Sequence, residues 1–526
     1  MSVKSRSRRK HGPQPHAIHK PRGVVHPRVV AVGPDHFAFV CVDCAKARSR
    51  LMLADFYGRV LIEPTTVDHN RSAFDTALAT IRAAMSRHHL QDVIVVVERT
   101  GRYHGPIQRA FRQAKFEVRI IHPYTTKQYR LPADPGNKTD DTDLSAIHRA
   151  AVNGFGMAEH EPDPAYVSLR LLARHRRKLV QKRVIIHQQM LEHLHSCMPG
   201  YSRCFTDLFG SPIGLWVPRN LGSATAILEA GVAGLSQQAR EAGLKVNRST
   251  LEKIVAWARS APLPEEPASL HRRIFLDLDA DQLAKARCIR GIEGELAGSL
   301  ARTPYVLLLS IVGINVVSAA EFAGEMGPIE HYPNARAITG RAGLYPSRYQ
   351  SDEVDRSNGS LVRQANRDLR YAILMIADNI VKCNDYFGVL AAGWRLKGKD
   401  TRDIRVRAAG RFGRIAYQMV AGRTTFWHPC ARQRQRDYIL AKLIRFAVEH
   451  SLAPDQLTRD LDAAASILPG DAHQEEAAAL RDELARVRNQ RGAGPHVLGA
   501  ILPAILAKLE VNLVESTRSG EADLTE

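Results

Sequence analysis

The chain has 526 residues, too many for one hydrophobic core, and three or four packed units are expected. Apolar residues make up 44% and aromatic residues 6%, which suits a soluble, helix-rich protein with no membrane partner. Its 74 Lys+Arg against 54 Asp+Glu leave a net charge of +20, which points to a polyanion, most commonly nucleic acid, and says nothing about the fold.

Residues 1–32 read as a disordered basic arm, either a non-specific phosphate contact or a solubilising tail. A strand-rich block follows. "FAFVCVDCAK" and "RLMLADFYGRVL" read as two strands with Gly58 near a turn. A helix is expected around 71–88, and "DVIVVVE" (92–98) reads as a buried central strand ending in an acid. A helix at about 104–115, the strand "FEVRIIH" (116–122) and a helix beginning in "KTDDTD" complete the block. This order predicts an α/β RNase H-like (RuvC-like) domain over 33–160.

Residues 161–300 read as a largely α-helical spacer with an insertion. In it "LRLLARHRRKLVQKRVIIHQQMLEHLHSCMP" forms one long basic amphipathic helix, part of a coiled-coil-like arm or of a plain bundle. A helical domain rich in Gly and Arg spans 301–425, and 426–526 is a helical extension of unknown role. "PYVLLLSIVGINVVSAA" (304–320) is short and interrupted by Gly313 and Asn315, so it reads as a buried helix–turn–helix rather than a membrane span. The turn resembles a helix-hairpin-helix, with Asn315 suited to a left-handed backbone and amide groups turned to phosphate; a tight core turn is the alternative.

The seven scattered cysteines and the lack of a signal peptide suit a reduced, bacterial cytoplasmic setting close to the nucleoid. Cys41 and Cys44 form a C-x-x-C, which suggests zinc or redox chemistry, but they flank Asp43 in an expected strand and no second pair exists.

The acids carry more. In "NKTDDTDLSAIHRAAVNG" (137–154), Thr139 suits an N-cap and Gly154 a helix end. Asp140 and Asp143 lie above the apolar stripe of Leu144, Ile147 and Ala151, whereas Asp141 falls with Ser145, His148 and Arg149 on the polar side. Asp43 lies in the first strand and Glu98 ends the central one. Carboxylates crowded into a partly dry site repel one another, and a hard divalent cation, Mg²⁺ or Mn²⁺, resolves the repulsion. Two such ions can clamp the attacking and leaving oxygens of a phosphodiester.

At these residues the sequence resembles a known family. "VDCAK" (42–46), "VERTGRYH" (97–104) and "KTDDTDLSAI" (138–147) are similar to the three acidic blocks of the insertion-sequence one-ten (IS110) transposases. "LLLSIVGINVVSAAEFAGEMG" (307–327), "RAGLYPSRYQSDEVDRSNGSLVRQANRDLRYAIL" (341–374) and "AAGRFGRIAYQMV" (408–420) are similar to the family's C-terminal domain. The resemblance implies a metal-binding tetrad of Asp43, Glu98, Asp140 and Asp143, and a serine nucleophile at Ser351. It also implies donor and target DNA and a non-coding bridge RNA that sets specificity; such chemistry handles several strands at once, so a dimer or tetramer is expected. Tyr103, Lys138 and Arg370 lie in the matching motifs, and the arginines of the polar loop around Ser351, Arg348, Arg363 and Arg367 among them, could hold a scissile phosphate, so these six are the candidate nucleic-acid contacts. Two positions depart from the pattern: Asp352 follows the serine where glycine is usual, and Ala365–Asn366 stands in place of Gly-Asn.

Two other readings stay open. The chain could be a RuvC-like nuclease hydrolysing branched DNA with metal-activated water, or a non-catalytic nucleic-acid-binding derivative of a transposase.

Overall fold

A computed structural model describes residues 25–133, 136–158, 163–351, 354–356, 359–426, 437–489 and 501–509. The chain divides into two compact units, Met1–Pro162 and Asp163–Glu526.

The first unit is built on a six-stranded sheet. Its strands are β1 (Phe37–Cys44), β2 (Arg48–Asp55), β3 (Val60–Asp68), β4 (Asp92–Glu98), β5 (Glu117–Ile121) and β6 (Met157–Ala158), in the order β3-β2-β1-β4-β5-β6. β4 runs parallel to β1 and β5, while β2, β3 and β6 are antiparallel to their neighbours. The helices are α1 (Val25–Val32), α2 (Arg71–Arg87), α3 (Gly105–Gln113), α4 (Pro123–Arg130) and α5 (Asp140–Val152). The RNase H-like expectation matches this mixed sheet with its helices. "RLMLADFYGRVL" breaks at Gly58, whose φ of 92° suits only glycine, so it supplies both β2 and the start of β3.

The apolar run of β4 is explained by burial on both faces. Val93, Val95 and Val97 pack with Ala38, Val40 and Val42 against Ile81 of α2 and Ile107 and Phe111 of α3. Ile94 and Val96 pack with Phe37, Phe39 and Cys41 against Leu144, Ile147 and Ala151 of α5.

α5 begins at Thr139, whose hydroxyl accepts from Thr142 N–H at 3.2 Å while the Thr142 hydroxyl accepts from Thr139 N–H at 3.0 Å. This reciprocal cap confirms the expected helix start. One residue departs from the helical-wheel reading: His148, placed on the polar side, is buried and bonds Asp55 O at 2.7 Å. The end of β2 reaches over that face of α5, so the stripe facing protein is wider than the sheet alone requires.

Among its described residues the second unit is helical apart from the short hairpin of β7 (Tyr349–Ser351) and β8 (Val354–Arg356) and the loops between elements. Its helices are α6 (Pro164–Cys197), α7 (Pro212–Asn220), α8 (Ala224–Glu241), α9 (Arg248–Arg259), α10 (Ala268–Ala301), α11 (Val316–Met326), α12 (Ala335–Ala342), α13 (Arg367–Cys383), α14 (Asp385–Leu396), α15 (Thr401–Gly422), α16 (Ile439–His450), α17 (Pro454–Ala465) and α18 (Gly470–Asn489), with a last helical stretch at 501–509. α6 and α10 run antiparallel, since Arg176 meets Glu293, Arg183 meets Gln282 and His193 meets His271. Between them α7, α8 and α9 form a small bundle around Ile227, Leu235, Leu251, Ile254 and Phe275. The other core joins the first half of α6 and the end of α10 to α11, α13, α15 and α16, and reaches Leu502 and Leu509.

"PYVLLLSIVGINVVSAA" is buried as expected, but its first half is a 3₁₀ helix, Pro304–Ser310, rather than an α-helix. No helix among the described residues is long and apolar enough to cross a membrane. Gly313 holds the positive φ of 91°, and a Cβ there would press on Ile380 Cα and Cys383 Cβ at 3.3 Å. Asn315 is extended rather than left-handed and caps α11, accepting from Ser318 N–H at 2.8 Å. The carbonyls of the turn are satisfied from inside: Lys442 Nζ donates to Ile311 O at 3.0 Å and Ile314 O at 2.7 Å, and Asn379 Nδ2 donates to Gly313 O at 2.6 Å.

Candidate active site

Strand alternation decides where the first two acids point. In β1, Ala38, Val40, Val42 and Cys44 face α2 and α3, so Asp43 faces α5. In β4, Val93, Val95 and Val97 take the same side as Val42, so Glu98 also faces α5. Val42 is registered with Val97 across the parallel pair, which makes Asp43 and Glu98 the next residues on neighbouring strands. The N-terminus of α5 lies over this end of the sheet. Asp143 is buried there, at 6% exposure, and Asp140 one turn earlier is exposed.

Their shared field is visible in their acidities. The Asp43 carboxyl is pushed up to about 6, first by burial and then by Glu98, Asp143 and Asp140. Glu98 is also raised, by burial and by Asp143, against the opposing effects of the Thr126 hydroxyl, Lys138 and Arg130. Asp143 is held by the Arg130 guanidinium at the end of α4. Asp141 pairs with Arg50 at 2.7 Å.

A cavity of about 410 Å³ opens beside the acids, lined by Asp43, Arg48, Arg50, Thr139, Asp140 and Asp141. Arg48, Arg50, Thr126 and Arg130 carry no signal at the level of sequence. Only the register, which sets Arg50 opposite Asp43, and the approach of α4 bring them in. The donors are all carboxylate oxygens, the right chemistry for a hard divalent cation. Among the described residues, no three His, Cys, Asp or Glu side chains stand close enough to share an ion. The donor set therefore fits such a cation in kind, while Asp143 is engaged by Arg130.

Cys41 and Cys44 fall on opposite faces of β1. Burial raises both thiols, that of Cys44 to about 12, so they pack as neutral side chains.

In the second unit, Ser351 ends β7 and is registered with Val354 of β8. Asp352 and the Ser351 side chain lie outside the described residues. The base of this loop is firmly built. Ser347 N–H donates to Ser360 O at 2.9 Å, and a Cβ at Gly359 would stand 2.3 Å from Ser347 Oγ. Arg370 donates to Ala342 O at 2.8 Å and to Val362 O, tying the two ends together. Asn366 caps α13 through Asp368 N–H and Leu369 N–H at 3.1 Å, and donates to Glu325 at 3.0 Å. Arg348, Arg363 and Arg367 are exposed around the loop. In the first unit, Tyr103 is 42% exposed in the turn after β4, and Lys138 is exposed just before α5.

A search among curated proteins found no match. A family model described as a transposase, of the DEDD IS110 type, matches residues 40–199, and one described as the transposase IS116/IS110/IS902 family matches residues 305–389. The first match takes in β1, β4 and the start of α5 with all four acids, and the second takes in the Ser351 hairpin and its base, in the order seen in the chain: it belongs to the IS110 family of transposases.

Proposed function

We propose that the protein is an RNA-guided DNA recombinase in which Asp43, Glu98, Asp140 and Asp143 hold Mg²⁺ or Mn²⁺ and Ser351 is the nucleophile. The observation that carries it is the placing of Asp43 and Glu98 side by side at the ends of β1 and β4, under the buried Asp143. Such a cation, when bound, would neutralise the carboxylates and stabilise charge building on a phosphodiester. The chain's own residues supply the ligand oxygens, hold the helix start in place through Thr139, and border the cavity with Arg48 and Arg50.

In the serine step the Ser351 oxygen bonds to phosphorus as a deoxyribose oxygen leaves. The serine gives up its proton and the leaving oxygen takes one up, so the number of phosphodiester bonds is unchanged. The reversed step rejoins strands without ATP, which is why a serine serves where activated water would only cut. The exposed arginines at 348, 363 and 367 suit phosphate contacts around the loop. A bridge RNA and an assembly of two or four chains would supply site choice and the second pair of strands.

The test is a trap for the covalent product. The purified protein with its co-purified RNA is mixed with nicked target DNA and Mg²⁺ and run on a denaturing gel. A DNA-shifted protein band that is lost in Ser351→Ala and in Asp43→Ala is expected. Cut DNA without a shifted band would place the protein among hydrolytic nucleases. Binding with no cutting in any metal, unchanged when the acids become Ala, would mark a non-catalytic derivative.

A further inference from the structure

One cation already stands among the four acids. Arg130 ends α4, and its Nη1 donates to Asp143 Oδ1, with the two side chains only 12% and 9% exposed. Asp143 is the most buried of the four acids, and a buried charge is costly to leave without a partner. Of the other cations near the acids, Arg50 pairs with Asp141, Lys138 lies near Glu98, and Arg48 borders the cavity with Asp43 and Asp140. A guanidinium and a divalent ion repel each other and compete for the same carboxylate oxygens.

We propose that Arg130 is a stand-in cation, a positioning residue that holds Asp143 beside Asp43 and Glu98 and is displaced from it when a divalent ion enters. This rests on the reading of the acids as metal ligands. It accounts for a tetrad that is brought together electrostatically yet is not drawn into a ligand shell. It also gives the site a defined shape before the ion arrives, since Asp143 is pinned to the end of α4 instead of being driven outward by its neighbours.

The experiment is a Mn²⁺ titration of the full chain by calorimetry at low salt. Arg130→Gln should bind Mn²⁺ about tenfold more tightly than the unmodified protein, because a competing positive charge is gone. Arg130→Lys, which keeps the charge, should stay within about twofold. Equal or weaker binding by Arg130→Gln would overturn the proposal and make Arg130 a fixed support of Asp143. A second measurement needs no variant. Phenylglyoxal modification of Arg130, read by mass spectrometry, should rise several-fold when Mn²⁺ is added, and unchanged reactivity would overturn the proposal. Mn²⁺ binding lost in Asp43→Asn but unaltered in Arg130→Gln would retire the stand-in alone. No Mn²⁺ binding by the unmodified protein would retire the metal reading with it.

Discussion

Asp43 and Glu98 are each one step beyond the registered pair Val42 and Val97, on adjacent parallel strands and on the same face of the sheet. Two carboxylates so placed repel, and burial adds to the cost of ionising either one. A fold selected for stability alone would gain by replacing one of them. Their placing at the ends of β1 and β4, facing the start of α5, suits the proposed cation site.

The first prediction follows from the raised Asp43 carboxyl. Its folded-state value of about 6 lies above the ordinary 3.8, so the folded protein holds this proton more tightly than the unfolded chain does. Its contribution is present below about 4, is lost as pH rises through about 6, and is flat beyond. The difference in melting temperature between the metal-free protein and Asp43→Asn, followed from pH 4 to 7, should show the variant gaining relative stability as pH rises. The gain is on the order of 1–3 kcal/mol. Excess Mg²⁺ should narrow it.

A second prediction concerns the start of α5. Thr139→Ala removes the bond its hydroxyl accepts from Thr142 N–H, leaving only the one from its own N–H to the Thr142 hydroxyl, and should cost about 1 kcal/mol, read from denaturant unfolding. Because the helix start carries Asp140 and Asp143, DNA cleavage should fall further than this loss explains. Thr139→Ser, which keeps the hydroxyl, should restore both.

Arg370 makes a different case. Its guanidinium ties Ala342 O to Val362 O, and Gly343, with φ of 62°, leaves room for it; a Cβ there would stand 2.3 Å from Arg370 Nη2. Arg370→Gln should raise protease cutting within 344–362 and reduce covalent adduct at least tenfold, while DNA affinity by fluorescence anisotropy changes less than about twofold. Arg370→Lys should not rescue, since one ammonium lacks the planar fork that reaches both carbonyls.

Lys442 links the C-terminal helices to the turn before α11. It donates to two carbonyls of that turn and pairs with Asp437 at 2.7 Å. Lys442→Met should destabilise the protein by about 2–4 kcal/mol, because the carbonyls lose their partner inside the fold. Removing residues from 437 onward should give insoluble protein, since Ile439, Leu440, Leu443 and Ile444 are built into the core of the second unit.

Local pattern carried a good part of this protein. The apolar run 92–98, the strand that carries Asp43, the Thr139 cap and the long helix now seen as α6 were legible because each depends on neighbours a few residues away. The four acids could be picked out as a group in the same way, since each stands at the end of an element with a clear period. Three-dimensional packing alone decided the rest. It turned His148 inward under the end of β2, made Asn315 a cap instead of a left-handed corner, and gave Asp141 to Arg50 across 91 residues and Asp143 to Arg130. It also drew the helices after 436 into the main core of the second unit. Backbone periodicity records which side of an element is buried. The partner a charge meets depends on strand register and helix approach, and these are fixed only when distant segments pack.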